Sequence, residues 1–332
     1  MRNRTLNALL VLLGLCALLA PTRAFACTVA TASTDLGDHS SYVAASTQLS
    51  GSGSAGLSCD VLLALLATHY VGLQVESSTF QLTGPGGSSI AYTASLTPGG
   101  PALTTGNFQN LSSISLLGLF SGTNNSIPIY FRTTPTTGLR AGTYTGSLDL
   151  RWYYSVCSLG AVVCLSYSQS PGFVRPVPIF VPLNWGTGTA VQIHIELEIE
   201  NDCIITAPPL DFGSAPLAGS FDPVTRTIQI RCSAGASYSV GLDNGDHALG
   251  GIRRMASGGN HLAYEIYKGA SSSDRWGPLG GERRSSDTAD SNAGVYDSIT
   301  TQGFIYRAVI DPDQTPPPQG DYQDSVRIDV EF

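Results

Sequence analysis

The feature that most restricts the fold is an internal repeat of strand-like segments marked by cysteines. Cys27 and Cys59 are answered by Cys203 and Cys232, "YVGLQV" (70–75) by "YSVGLD" (238–243), and "IAYTASL" (90–96) by "LAYEIYK" (262–268). "IPIYFRT" (127–133) is answered by "FIYRAVI" (304–310), and "AGTYTGSLDL" (141–150) by "QGDYQDSVRI" (319–328), all at offsets of 168 to 178 residues. A repeat of this period in a chain of 332 residues means two copies of one domain. Within each segment apolar, β-branched and aromatic residues alternate or run short between Gly, Pro, Asn and Asp, and helical periodicity is weak. Strands spaced roughly 8–12 residues apart give an all-β chain of two immunoglobulin-like β-sandwich domains. "NWGTGTA" (184–190) reads as the joint, so the first domain is expected over 27–185, a linker over 186–190 and the second domain over 191–332.

The copies differ at their ends. After its sixth strand the first continues through "CSLGAVVC" (157–164) into "FVRPVPIFVPLNW" (173–185), long enough for a seventh strand, whereas the second reaches Phe332 inside its sixth. Along that last strand Val326, Ile328, Val330 and Phe332 alternate with Arg327, Asp329 and Glu331, so one face is apolar. A sandwich short of a strand leaves an apolar groove and unpaired backbone along an edge. The C-terminal domain is therefore expected to be incomplete and to take a strand from elsewhere by β-augmentation, with Val326, Ile328, Val330 and Phe332 as the acceptor edge.

The first twenty-six residues read as a secretory signal: Arg2 and Arg4, then an apolar run, then Ala24-Phe25-Ala26 before Cys27. Ala24 stands where a lipidation signal usually carries Leu, which favours ordinary export. Cleavage would remove Cys16 and leave Cys27, Cys59, Cys157, Cys164, Cys203 and Cys232, an even set suited to disulfides in an exported protein. Six cysteines allow fifteen pairings. Proximity in sequence suggests Cys27 with Cys59, Cys157 with Cys164 and Cys203 with Cys232.

Charge excludes one class of partner. Loss of Arg2, Arg4 and Arg23 takes the formal net charge from −8 to −11, and an acidic chain without a basic stripe is a poor nucleic-acid binder. Residues 27–185 hold only four basic and five acidic side chains, far below the usual share of about a quarter. Nothing suggests an enzyme or a cofactor or metal site: His39, His69, His194, His247 and His261 are scattered, and no nucleophile elbow or zinc-type pair occurs. "DLGDHS" (35–40) and "DNGDH" (243–247) lack a full calcium-ligand register and read as turns.

In an immunoglobulin-like order the B-C, D-E and F-G loops share one pole. Here those loops are apolar: Leu62, Leu63, Leu65 and Leu66 in the first; Leu116, Leu117, Leu119 and Phe120 in the second; Leu159, Val162 and Val163 inside "CSLGAVVC". Each taken alone has a core or hairpin-staple reading. Their agreement on one pole of a nearly chargeless domain points to exposure, and contiguous exposed apolar surface marks an interaction site.

"CIITAPPLDFGS" (203–214), "IRCSAGASYSVGLDNG" (230–245), "RRMASGGNHLAYEIYKGASSSDRWG" (253–277) and "QGDYQDSVRIDVEF" (319–332) together resemble a spore coat protein U domain. This is the pilin module of archaic, Csu-type chaperone-usher pili. The resemblance covers about residues 191–332, the first half being similar only in skeleton, and a two-domain chain of this type resembles the tip adhesin subunit of such pili. It implies export through the periplasm to the cell surface, with a periplasmic chaperone, an outer-membrane usher and an adjacent subunit supplying a donor strand as partners. Because cleavage would leave no extension before Cys27, the chain is expected to receive a strand without donating one and to stand at the pilus tip. The expected function is attachment to hydrophobic, including abiotic, surfaces and promotion of biofilm formation. The alternatives are a tip lectin using Tyr70, Tyr130, Trp152, Tyr153, Tyr154 and Trp185, or a structural coat or pilus subunit.

Overall fold

The computed structural model describes residues 27–60, 67–159 and 164–332. The alternating segments fold as strands because one side of each can be buried against a second layer. In the first half these are β1 (Cys27–Val29), β2 (Ala32–Ser40), β3 (Ser50–Cys59), β4 (Tyr70–Ser77), β5 (Gln81–Thr83) and β6 (Ser89–Ser95). They are followed by β7 (Phe108–Asn110), β8 (Ser126–Thr133), β9 (Gly142–Leu159), β10 (Ser166–Gln169) and β11 (Thr189–Glu200). One layer runs β1-β3-β8-β6 and the other β7-β4-β9-β11-β2, with β5 pairing both β6 and β9. Between the layers lie Leu57, Leu73, Ile90, Phe131, Leu148 and Trp152, all buried, and Trp152 Nε1 donates to Ala55 O at 2.7 Å across them.

β11 changes the expected domain boundary. It pairs antiparallel with β9 from Thr189 opposite Trp152 to Ile199 opposite Gly142, and parallel with β2. Val191, Ile193, Ile195, Leu197 and Ile199 enter the first core while Gln192, His194, Glu196, Glu198 and Glu200 alternate on the other face. The seventh strand of the first sandwich is therefore "VQIHIELEIE", which had been expected to open the second domain, and the halves part at Asn201–Asp202. Gly56 makes room for it: its φ is +81°, and a Cβ there would lie 2.8 Å from Val191 Cγ2, so only glycine suits the position.

The segment expected to be that strand cannot serve. Pro176, Pro178 and Pro182 supply no N–H and are excluded from a central ladder. Residues 174–184 form instead a separate narrow hairpin, with bridges between Val174 and Asn184 and between Val177 and Val181.

The second half carries β12 (Cys203–Thr206), β13 (Val224–Cys232), β14 (Ser239–Leu242), β15 (Arg253–Ser257), β16 (Asn260–Lys268), β17 (Arg284–Ser285), β18 (Gln302–Ile310) and β19 (Ile328–Glu331). A β12-β13-β18-β16-β15 sheet faces a β17-β14-β19 sheet around Trp276, Phe304 and Ile266. The three disulfides are Cys27–Cys59, Cys157–Cys164 and Cys203–Cys232. The halves meet through Ser41 Oγ and Ser233 Oγ at 2.7 Å, Tyr42 Oη donating to Arg231 O at 2.8 Å, and Ala234 N donating to Leu139 O at 3.2 Å.

Candidate functional site

Strand directions place three connections at the end of the first half away from the second. β3 finishes at Cys59, β8 begins with Ser126 opposite Ser58, and β9 finishes at Leu159. Asp60, residues 67–69, residues 111–125 and residues 164–165 lie there, and His69 Nε2 meets Ile114 O at 2.8 Å to tie the first connection to the second. The Cys157–Cys164 bridge closes the β9-β10 hairpin, in which Tyr167 stands opposite Cys157.

The apolar residues expected at this pole divide. Leu62, Leu63, Leu65, Leu66, Val162 and Val163 lie outside the described residues, as does the side chain of Leu159. Leu116, Leu119 and Phe120 are corrected: all three are buried in the first core. The reason is a helical turn over Leu116–Leu119, N-capped by Ser115, whose i, i+3, i+4 positions face inward together. Leu117 falls out of phase and is 56% exposed, and Leu165, after the disulfide, is 76% exposed.

The two most exposed apolar side chains among the described residues were not anticipated. At the tip of the hairpin 174–184, Ile179 is fully exposed and Phe180 is 81% exposed. Val177 and Val181 exchange two N–H to O bonds of 2.9 Å beneath them. Ile179 has φ +74°, a region that β-branched residues rarely enter and that costs about 1–3 kcal/mol. The hairpin is rooted in an aromatic cluster: Trp185 lies 5.0 Å from Phe108 and 5.6 Å from Phe173, and Phe173 lies 5.9 Å from Tyr70. Gly72 makes the cluster possible, since a Cβ there would be 2.5 Å from Phe108 Cζ. Above the root, Arg175 donates to Thr68 O at 2.9 Å and to Ser155 Oγ at 2.8 Å, and its guanidinium lies 3.8 Å from the Tyr167 ring centroid. Trp185 packs on Gly72 and Tyr153, while Arg175 sits at Ser155 and Thr68, farther along β9. The base of the hairpin, from Trp185 to Arg175, therefore advances along β9 in the direction of the same pole.

This arrangement takes Trp152 and Tyr154 out of a sugar site and leaves Tyr70, Tyr130, Tyr153 and Trp185 half-buried. Trp152 and Tyr154 are core residues, and Tyr70, Tyr153 and Trp185 pack against neighbouring rings beneath the hairpin.

A second feature lies in the other half. β19 is hydrogen-bonded to β14, and its opposite edge pairs with no strand among the described residues. Beside it runs a cleft of about 390 Å³ between residues 207–212 and 322–328, floored by Ile228, Leu242, Tyr264, Ile266 and Tyr306. Val326, Ile328 and Val330 pack half-buried against the second core, whereas Phe332 is exposed. By the 178-residue offset of the repeat, Tyr322, Val326 and Ile328 of this lining correspond to Tyr144, Leu148 and Leu150 of β9, the strand with which β11 pairs. Among its polar lining groups, Asp324 accepts from Tyr264 Oη at 2.7 Å. Burial, reinforced by that carboxylate, holds the Tyr264 phenol well above the ordinary tyrosine range. No group of three or more His, Cys, Asp or Glu suited to a metal ion occurs among the described residues.

The spore coat protein U domain model matches residues 15–150 and again 189–329. A solved structure similar over nearly the whole length is the CsuC–CsuE chaperone–tip adhesion subunit pre-assembly complex from the archaic chaperone-usher Csu pili of Acinetobacter baumannii. It is 31% identical, with 92% of this chain and 100% of that one covered and a TM-score of 0.71. The CupB6 tip adhesin of Pseudomonas aeruginosa aligns at 13% identity over 86% of each chain with a TM-score of 0.29. CfaE, the adhesive subunit of CFA/I fimbria of enterotoxigenic Escherichia coli, aligns at 10% identity over 91% of this chain and 92% of that one, with a TM-score of 0.28. A search of curated protein sequences returns no match.

Proposed function

This chain belongs to the spore coat protein U domain family, and on that premise we propose that it is the adhesive end subunit of a chaperone-usher pilus. Exported through the periplasm, the second half receives a strand along β19, first from a chaperone and then from the adjacent subunit delivered at the usher. The first half carries the binding surface. The observation that carries this reading is the contrast between two equivalent slots: the first is filled by β11 of the same chain, and the second is an open cleft. A subunit with one vacant slot and one self-completed domain suits the end of a fibre. The similar Acinetobacter chain comes from a complex of chaperone and tip subunit, which agrees with the chaperone assignment.

Surface attachment rests on the pole. Ile179, Phe180, Leu117 and Leu165 offer apolar contact area on a half nearly free of charge. Burying about 300 Å² against a dry apolar surface contributes ~7 kcal/mol at ~25 cal/mol per Å² before entropy costs. Many tips per cell add avidity, and biofilm formation follows from firm first attachment. The hairpin is preorganised by Arg175 and the aromatic root, which limits the ordering cost of contact.

The test is co-expression of the full chain with a periplasmic pilus chaperone, followed by purification and a binding assay on polystyrene. The reading expects a one-to-one complex and attachment that free sugars do not inhibit. A chain that is exported, stable and monomeric without any strand-donating partner would overturn the subunit assignment. Sugar-inhibited attachment would overturn the hydrophobic one.

A further inference from the structure

The filled slot of the first half shows what an incoming strand meets in the second. Ile195 of β11 stands opposite Gly146 of β9, with Ile193 opposite Leu148 and Val191 opposite Leu150. The 178-residue offset of the repeat puts Asp324 at the place of Gly146, between Tyr322 and Val326. At Gly146 there is no side chain, and Leu82 Cδ2 lies 2.8 Å from where a Cβ would be. Gln81 O lies 2.9 Å from the same point, so the position is crowded and carries no charged side chain, and Ile195 stands opposite it. At Asp324 a carboxylate lines the cleft instead. Its Oδ2 accepts from Tyr264 Oη at 2.7 Å, and its Oδ1 is 3.0 Å from His247 Nδ1 and 3.3 Å from the His247 amide nitrogen, which donates to it. The side chain is already 2% exposed with the slot open, so an arriving strand completes its removal from water.

We propose that Asp324 selects the strand this cleft accepts. The residue that meets it, third among the inward positions after those meeting Ile328 and Val326, is small or donates a hydrogen bond, whereas the flanking inward positions are aliphatic. A carboxylate offers about four acceptor positions. An aliphatic residue pressed over it leaves a buried charge partly unpaired, while Ser, Thr or Asn supplies a donor and Gly leaves space. The β11 sequence, with Ile at that position, is thereby matched to its own slot and mismatched to the neighbouring one, which keeps the two halves from exchanging strands. This inference rests on the donor-strand reading above and adds the chemistry of the donor.

The experiment uses the full chain, whose own β11 fills the first slot, refolded with one of two fluorescent peptides. One is the 189–200 sequence and the other is the same peptide carrying Ile195→Ser; affinity is read by anisotropy. The Ser peptide is expected to bind about tenfold more tightly or better, the ratio that accompanies one unpaired buried polar group. Asp324→Gly, which restores the first-half geometry, is expected to reverse the order. Asp324→Asn, nearly isosteric, keeps the shape and narrows the ratio, and it serves if the glycine variant does not fold. Equal affinities for the unaltered chain, or a preference indifferent to both substitutions, overturn the selection by Asp324 and leave the donor-strand reading standing. Binding of neither peptide overturns both.

Discussion

Deleting β11 tests whether the first half is completed by its own chain. Val191, Ile193, Ile195, Leu197 and Ile199 are each 7% exposed or less. At ~1.5–3 kcal/mol for each buried aliphatic side chain their burial contributes ~8–15 kcal/mol, as much as the whole stability of an ordinary domain, about 5–15 kcal/mol. A fragment of residues 27–200 is therefore expected to unfold cooperatively on heating, and a fragment of 27–188 to show no transition until a 189–200 peptide is added. Within the longer fragment Ile195→Ala is expected to cost ~2–5 kcal/mol, which at ~2–4 °C per kcal/mol lowers Tm by roughly 5–20 °C. His194→Ala, one residue away on the outer face, is expected to change stability by less than ~0.5 kcal/mol. Calorimetry and near-ultraviolet circular dichroism read both. A cooperative transition in 27–188 at the same temperature, or equal losses from Ile195→Ala and His194→Ala, refutes the assignment of β11 to the first core.

Two further perturbations probe the site and the core. Arg175→Ala removes the bonds to Thr68 and Ser155 and the stacking on Tyr167; it is expected to lower the opening energy of the hairpin by ~1–2 kcal/mol, read as faster proteolysis within 174–184 at unchanged Tm. Burial is the first cause raising the phenol pKa values of Tyr92, Tyr154, Tyr238, Tyr264 and Tyr306. Their neutral forms are thus favoured by folding, a contribution fully present below the ordinary value of about 10 and lost as pH rises through the folded values. A phenolate absorbance titration is expected to show the exposed tyrosines ionising first and these five only with unfolding; a single step near the ordinary value contradicts it.

Much of the fold was legible because a buried strand needs period-two patterning, and the alternating segments of the repeat became strands except 319–327, where β19 begins only at Ile328. The disulfides were legible because each joins the first strand of a copy to the strand it pairs with or closes a hairpin. What the pattern does not carry is ownership. The alternation of "VQIHIELEIE" marks one buried face, but says nothing of which core receives it. The error at 173–185 had a visible remedy, since Pro176, Pro178 and Pro182 forbid a central strand. Leu116, Leu119 and Phe120 also had one: after Ser115 their i, i+3, i+4 spacing reads as a capped helical turn facing the core. The exposed hairpin had no such signal, because Ile179 and Phe180 look like core residues until the prolines remove their strand.

The double variant Ile179→Ser, Phe180→Ser decides whether the pole of the first half binds apolar surfaces. Both side chains are exposed, so Tm and pilus number are expected to stay unchanged. Loss of ~1.5–3 kcal/mol of burial from each is expected to weaken a single tip contact by about two to four orders of magnitude. The measurement is the detachment rate of single pili from polystyrene, compared with the unaltered chain. Fast detachment with intact pili is the predicted result, and an unchanged rate with intact pili contradicts the claim.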